Sequence, residues 1–206
     1  MAPVVLVHGF LVGPWSMWWL ERQLKQHGFR THRFGYSSRR LSLSEAASEL
    51  SNFCHRIDSE SCHLVAHSLG GLVALAMLQD QANGGYGQSQ LSPGRLVLLG
   101  TPVKGASAAV GLSRFSWGER LLGQARTSLS QSFFSAPDGW PTTVIAGTQA
   151  LGLGRVFSPL PIPNDGTVAV AETTLEKAHC VQVKASHSGL LFSPHVVKHM
   201  LKALRG

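Results

Sequence analysis

The chain has 206 residues, of which 44% are apolar and 14% charged, which excludes a disordered protein and favours a single α/β domain over 1–206. Its 18 Lys and Arg against 11 Asp and Glu give a net charge of +7. The basic residues are scattered, with Arg39 and Arg40 as their one adjacent pair, so we expect no nucleic-acid partner. A basic surface of this kind attracts anionic substrates and permits peripheral lipid contact.

The first residues, MAPVVLVHGF, lack the basic region and the cleavage site of a signal peptide, and no apolar run is long enough to span a membrane. The three cysteines Cys54, Cys62 and Cys180 cannot all pair with one another, and none has metal-ligand spacing from another cysteine. We therefore expect reduced thiols in a cytoplasmic protein that binds no metal.

In chain order, short apolar runs alternate with longer segments of helical periodicity. Ser16 and Gly28 are the expected ends of the first helix, and Ser42 with Glu45 has the spacing of a capping box on the second. The run LGGLVALAML is apolar on every side and predicts a buried helix, and PHVVKHMLKAL predicts the last helix. This alternation predicts a mostly parallel six-stranded sheet with helices on both faces. The strands are expected at 3–8, 30–36, 63–67, 95–100, 142–147 and 180–184.

Residues 104–141 interrupt this alternation with a long stretch that is rich in Ser and Gly and also carries large apolar side chains. Two interpretations are open. The stretch is either an ordinary crossover helix with a buried face or a cap over a binding cleft, and the sequence does not decide whether it is a mobile lid.

A serine stands at the break between the third strand and the buried helix, in the sequence CHLVAHSLGGLVALAML. A hydroxyl becomes an effective nucleophile when a tight strand-to-helix turn exposes it and a base removes its proton. The small residues Ala66 and Gly70 bracket Ser68 and let the strand and the helix approach each other. Ser-x-Gly also occurs at Ser92 and Ser116, but neither lies between an apolar strand and an apolar helix, so Ser68 is the candidate nucleophile.

Five motifs resemble those of α/β hydrolases and occur in the same order: HGF after the first strand, AHSLGG, LGTPVKGA, NDGTV and ASHSGLLF. Along nearly its whole length the chain is similar to the small bacterial lipases and esterases of that superfamily. It departs from them at Ala66, where glycine is usual, and in HGFLVGP, where the oxyanion loop is usually rich in glycine. The resemblance implies the α/β-hydrolase fold at nearly minimal size, with the backbone amides of Phe10 and Leu69 forming an oxyanion hole.

In such enzymes the acid and the histidine follow the nucleophile along the chain. Asp165 follows the fifth strand and His187 follows the sixth, so both side chains are expected at the carboxyl edge of the sheet with Ser68. His187 would take the Ser68 proton, and Asp165 would hold the imidazole tautomer and stabilise its charged form. The rival acid Asp138 precedes the fifth strand and belongs at the opposite edge. His67 adjoins the nucleophile but is expected to point away from it.

The remaining candidates concern the pocket. His8 is expected to shape the oxyanion loop and not to act as a base. Packing of the first helix on the sheet explains at least two of Trp15, Trp18 and Trp19 as well as substrate binding does. If an acyl cleft forms, we expect it to be lined by Trp15, Phe115, Trp117 and Leu121, with Phe133 and Phe134 beside them.

The residues and the resemblance together predict a serine hydrolase that cleaves carboxylic esters, an esterase or lipase, through an acyl-enzyme intermediate. No cofactor is expected, because the triad needs none. Thioester hydrolysis and acyl transfer use the same residues and stay open, as does a non-catalytic binding module on a hydrolase scaffold. The substrate is expected to be a small-molecule or lipid ester with a short to medium acyl chain, because the chain is too short to include a large cap domain. The oligomeric state is not predicted.

Overall fold

Six parallel strands form one sheet in the computed structural model, which describes residues 2–57, 61–84, 91–130, 134–152 and 160–206. Their order across the sheet is β2-β1-β3-β4-β5-β6, and all five neighbouring pairs are parallel. The strands are β1 Val4–Val7, β2 Thr31–Phe34, β3 His63–His67, β4 Leu96–Leu99, β5 Thr142–Gly147 and β6 His179–Val183. The predicted six-stranded architecture is confirmed, and the carboxyl ends of all six strands meet at one edge.

Helices connect the strands, and none in the described part of the chain is long and apolar enough to cross a membrane. Two short 3-10 helices are Pro14–Met17 and Gly189–Phe192. The α-helices within the described residues are α1 Trp18–Gln26, α2 Leu43–Arg56, α3 Leu69–Ala82, α4 Ser107–Leu112, α5 Ser116–Leu122, α6 Ala125–Ser130, α7 Val170–Thr173 and α8 Pro194–Arg205.

Both faces of the sheet are covered, because parallel strands connected by helices bury side chains on two sides. Successive residues of β1 show the two layers. Val5 and Val7 join the core beneath α2 and α3, whereas Val4 and Leu6 join the core beneath α1 and α8. As predicted, α3 is buried on nearly every side, so it forms the centre of the first layer.

The helix ends follow the sequence signals with one exception. The Ser42 hydroxyl accepts a hydrogen bond from the Glu45 amide at 3.3 Å and the Glu45 carboxylate accepts one from the Ser42 amide at 2.8 Å, which confirms the capping box. The expectation that Ser16 caps α1 is wrong, since Ser16 lies inside the preceding 3-10 helix and donates to the Gly13 carbonyl at 2.8 Å. Pro14 explains the difference, because its fixed φ starts helical geometry earlier.

Within the described residues, the excursion after β4 forms three short helices, α4, α5 and α6, in place of one long crossover helix. Glu172 of α7 holds the start of α4, because its carboxylate accepts hydrogen bonds from the amide and the hydroxyl of Ser107. Further along, the Gln124 amide donates to the Arg39 carbonyl at 3.1 Å, and the Arg39 guanidinium donates to the Arg120 carbonyl at 3.1 Å. The three helices are therefore attached to the loop after β2 and to α7.

Candidate active site

Ser68 occupies the tight turn between β3 and α3, with φ 53° and ψ −124°. A positive φ is strained for a residue that has a side chain, and it is typical of a nucleophile elbow. Gly70 permits the turn, because a Cβ at that position would lie 2.4 Å from the His8 carbonyl oxygen. Ala66 is completely buried in β3. The strand and helix thus approach closely, and the Ser68 hydroxyl stands at the carboxyl edge of the sheet.

The structure brings the three side chains selected from the sequence into one hydrogen-bonded chain. The Ser68 Oγ lies 3.0 Å from Nε2 of His187, and the His187 Nδ1 lies 2.7 Å from Oδ2 of Asp165. With the Nδ1 proton donated to the carboxylate, Nε2 has a free lone pair and can accept the serine proton. The arrangement has the geometry that nucleophilic catalysis by a hydroxyl requires.

The loop after β5 fixes the orientation of the Asp165 carboxylate. Its Oδ1 accepts hydrogen bonds from the amides of Thr167 at 2.9 Å and Val168 at 2.7 Å, which leaves Oδ2 for His187. Asp165 is 1% exposed, so these bonds are shielded from water. The rival Asp138 is 94% exposed, lies at the amino edge and pairs with Lys177 at 3.5 Å.

The two residues whose backbone amides are predicted to form an oxyanion hole, Phe10 and Leu69, lie beside the cavity and Ser68. Phe10 lines the cavity above Ser68 and Leu69 is the first residue of α3. Neither amide makes a hydrogen bond to another residue in the described ranges. The neighbouring Leu11 amide instead donates to the Ser38 hydroxyl at 3.1 Å, which fixes the loop after β1.

His8 holds the same loop from below. Its ring stacks on Tyr36 at a centroid distance of 4.6 Å, and its Nδ1 bonds to the Gly9 carbonyl at 2.9 Å. The Nε2 accepts a hydrogen bond from the Tyr36 amide at 3.3 Å. Burial lowers the pKa of His8, so its ring is neutral and both nitrogens serve the fold.

His67 supports His187, a contact that the sequence did not predict. Its Nε2 donates to the His187 carbonyl at 3.1 Å, and the two rings lie 4.7 Å apart. Burial lowers the pKa of His67 to about 3, with a further contribution from the nearby His187. The neutral ring adds no positive charge beside His187. A bond between residues 67 and 187 depends on the sheet order, which no local pattern indicates.

An apolar cavity of about 400 Å³ opens above Ser68 and His187. Its walls come from the loop after β1, from α4, α5 and α6, and from the loops after β5 and β6. Its apolar lining residues are Phe10, Leu11, Val12, Pro102, Ala106, Ala108, Ala109, Leu112, Leu121, Leu122, Leu129, Val168 and Leu191.

One of the four expected substrate-binding side chains, Leu121, lines this cavity. Trp15 lies instead in a shallow cavity beside β2, and Phe115 is 47% exposed and not among the described lining residues. The described lining of this cavity therefore does not include these two side chains, because the sequence does not fix how an individual aromatic side chain is turned. The Trp117 side chain and Phe133 lie outside the described part of the chain.

Within the described residues, no group of three or more His, Cys, Asp or Glu side chains is arranged to hold a metal ion. The chemical groups of the site are a hydroxyl, an imidazole, a carboxylate and two amides. They can move a proton and stabilise a developing oxyanion.

Comparison with known proteins identifies the family of this chain. The model of the alpha/beta hydrolase family matches residues 4–197. This chain belongs to the alpha/beta hydrolase family. Comparison of the hydrolase with curated protein sequences gives no match.

Solved structures similar to the hydrolase include three with activities in their names. Mature lipase BlEst2 of Bacillus licheniformis is 20% identical, with a TM-score of 0.77 over 98% of this chain and 91% of that chain. Phospholipase PlaB of Legionella pneumophila is 17% identical, with a TM-score of 0.71 over 100% of this chain and 60% of that chain. Carboxylesterase CesB of Bacillus subtilis is 14% identical, with a TM-score of 0.62 over 99% of this chain and 84% of that chain. At these identities the likeness shows a shared fold.

Proposed function

We propose that the hydrolase cleaves carboxylic esters by nucleophilic catalysis at Ser68. The observation that carries this proposal is the continuous hydrogen-bonded chain from Asp165 through His187 to Ser68 at the base of an apolar cavity. Each member of this chain is constrained: Ser68 by the strained turn, His187 by its bond from His67, and Asp165 by two amides.

In the first half of the reaction, the Ser68 Oγ attacks the carbonyl carbon of the ester while His187 Nε2 takes its proton. The carbonyl oxygen becomes an oxyanion that accepts hydrogen bonds from the amides of Phe10 and Leu69. A donor of this kind typically contributes about 3 kcal/mol to the stability of the transition state. Collapse of the intermediate breaks the bond to the alcohol, which leaves with the proton from His187.

In the second half, water enters the site and His187 removes its proton as it attacks the acyl group on Ser68. The carboxylic acid departs, the proton returns to the Ser68 oxygen, and the enzyme is restored. Throughout, the Asp165 carboxylate holds the Nδ1 proton and stabilises the charged imidazolium. No cofactor takes part in these steps.

The cavity supports a preference for short to medium acyl chains. Its volume of about 400 Å³ lies near the lower end of the range for small-molecule pockets, and its walls are mainly aliphatic. In this proposal α4, α5 and α6 form a cap whose Leu121 and Leu122 contact the acyl chain. The names lipase, phospholipase and carboxylesterase of the similar structures agree with an ester substrate.

A panel of p-nitrophenyl esters of graded acyl length, run beside matching thioesters, tests the proposal. We expect ester turnover with an optimum at short or medium chains and covalent labelling of Ser68 by a fluorophosphonate. Faster turnover of the thioesters than of the matching esters would mean that the protein is a thioesterase and not an esterase. Absence of both turnover and labelling would indicate a binding module on this scaffold.

A further inference from the structure

Among the described residues, the exposed large apolar side chains belong to segments that follow the carboxyl ends of the strands. We define the carboxyl face as the described residues of the segments that follow the carboxyl ends of β1, β2, β4, β5 and β6: 8–18, 35–42, 100–130, 148–152, 160–173 and 184–192. All eight exposed large apolar residues in the described ranges belong to it: Leu11, Trp15, Trp18, Val110, Phe115, Leu151, Ile162 and Phe192. Single exposed apolar residues are ordinary, but their restriction to one face is not.

Three of these side chains belong to segments that also line the cavity or carry its catalytic side chains. Leu11 lines the cavity and is also 49% exposed, so it stands at the rim. Phe192 directly follows the lining residue Leu191. Ile162, in the loop that leads to Asp165, is 92% exposed, so nearly its whole side chain meets solvent. The cavity that contains Ser68 therefore opens on the carboxyl face, with Leu11 common to both.

The same face carries an excess of positive charge. It has three carboxylates among its described residues, and each has a partner: Asp165 bonds to His187, Glu119 pairs with Arg126 at 2.8 Å, and Glu172 accepts bonds from amides. The described residues of the same face include seven exposed cations: Arg39, Arg40, Lys104, Arg114, Arg120, Arg126 and Lys184.

We propose that the carboxyl face docks on an anionic lipid surface, with the cavity opening toward the lipid. Apolar side chains can enter the boundary between headgroups and acyl chains while Lys and Arg meet the anionic headgroups. A second copy of this chain is the poorer occupant, because docking through the same face would bring the two sets of cations together. The docking itself does not depend on the proposed function. Its consequence, that the ester enters the cavity from the lipid, rests on that function.

Co-sedimentation with vesicles tests the docking apart from catalysis. We expect binding to phosphatidylcholine vesicles that contain phosphatidylglycerol, and at least tenfold weaker binding to pure phosphatidylcholine. Ile162→Ser/Phe192→Ser should weaken binding to the anionic vesicles about tenfold, and Arg114→Glu/Arg120→Glu should weaken it more. Turnover of a soluble p-nitrophenyl ester should be unchanged in both variants. Ser68→Ala should bind vesicles normally, so loss of catalysis and loss of docking are distinguished.

The matched control is Lys198→Glu/Lys202→Glu, which makes an equal change of charge on exposed positions of α8. It should leave vesicle binding nearly unchanged. Equal losses in the two charge variants would overturn the proposal, because they would indicate non-specific attraction of a basic protein to anionic lipid. A lack of binding to anionic vesicles would also overturn it. A stable dimer detected by sedimentation velocity would overturn it too, if the double substitution Ile162→Ser/Phe192→Ser dissociates that dimer.

Discussion

The carboxyl and amino edges of the sheet are formed by the same six strands but hold different kinds of side chain. At the carboxyl edge, Asp165 and Ser68 are buried and connected through His187 by short hydrogen bonds. At the amino edge, a basic groove of about 360 Å³ includes Arg95 and Lys202, and the Lys177–Asp138 pair beside it is solvated. Parallel strands bring distant segments together at both edges, but a reactive group needs burial and fixed partners as well.

Ser68→Ala, at the carboxyl edge, is expected to have the largest effect on activity of the substitutions that compare the two edges. Removing the nucleophile should lower ester turnover by on the order of a thousandfold or more, because the three side chains act as a unit. The change removes one oxygen and leaves little empty space, so the thermal unfolding midpoint should stay close to that of the parent. Steady-state assays and circular dichroism measure the two results. Undiminished fluorophosphonate labelling of the variant would contradict the assignment of Ser68.

The two acids give a direct comparison between the edges. Asp165→Asn should lower kcat by on the order of a hundredfold or more, because an amide can donate to Nδ1 and favour the wrong imidazole tautomer. Asp138→Asn removes one exposed charge from a solvated ion pair, so it should leave kcat and stability almost unchanged. Both are measured with the same soluble ester. The reverse ranking would mean that the acid acts from the amino edge.

The sequence was sufficient to predict the sheet and to select the three residues that the structure brings together. Strand signals are local, and in a parallel sheet a residue that directly follows a strand must lie at the carboxyl edge, which placed Asp165 and His187 near Ser68. Side-chain rotation and contacts between distant segments are not local properties. For that reason the sequence does not indicate that Trp15 and Phe115 are absent from the described lining of the cavity, nor that His67 donates to the His187 carbonyl.

His67 should make the stability of the carboxyl edge depend on pH. Burial lowers its pKa from 6.5 to about 3, so between these values the unfolded chain binds a proton that the folded chain does not. Stability should therefore fall as the pH decreases from about 6.5, by ~1.4 kcal/mol per pH unit from this residue. His67→Gln should reduce the slope of stability against pH. Part of the slope that remains should come from His8, whose pKa is also lowered by burial. Urea unfolding between pH 7.5 and 4.5 measures both slopes, and identical slopes would contradict the argument.

The smallest expected effect comes from a comparison of Leu121, in α5, with Phe115, the residue that precedes α5. Leu121 lines the cavity, whereas Phe115 is 47% exposed and is not among the described lining residues. Leu121→Ala should enlarge the cavity and move the optimum of kcat/KM toward longer acyl chains. Each additional buried methylene contributes ~0.8 kcal/mol, or about fourfold in kcat/KM, until the cavity is full. Phe115→Ala should leave the chain-length profile unchanged. A shift in the profile of Phe115→Ala, with none for Leu121→Ala, would mean that the acyl chain binds on the outer side of the cap.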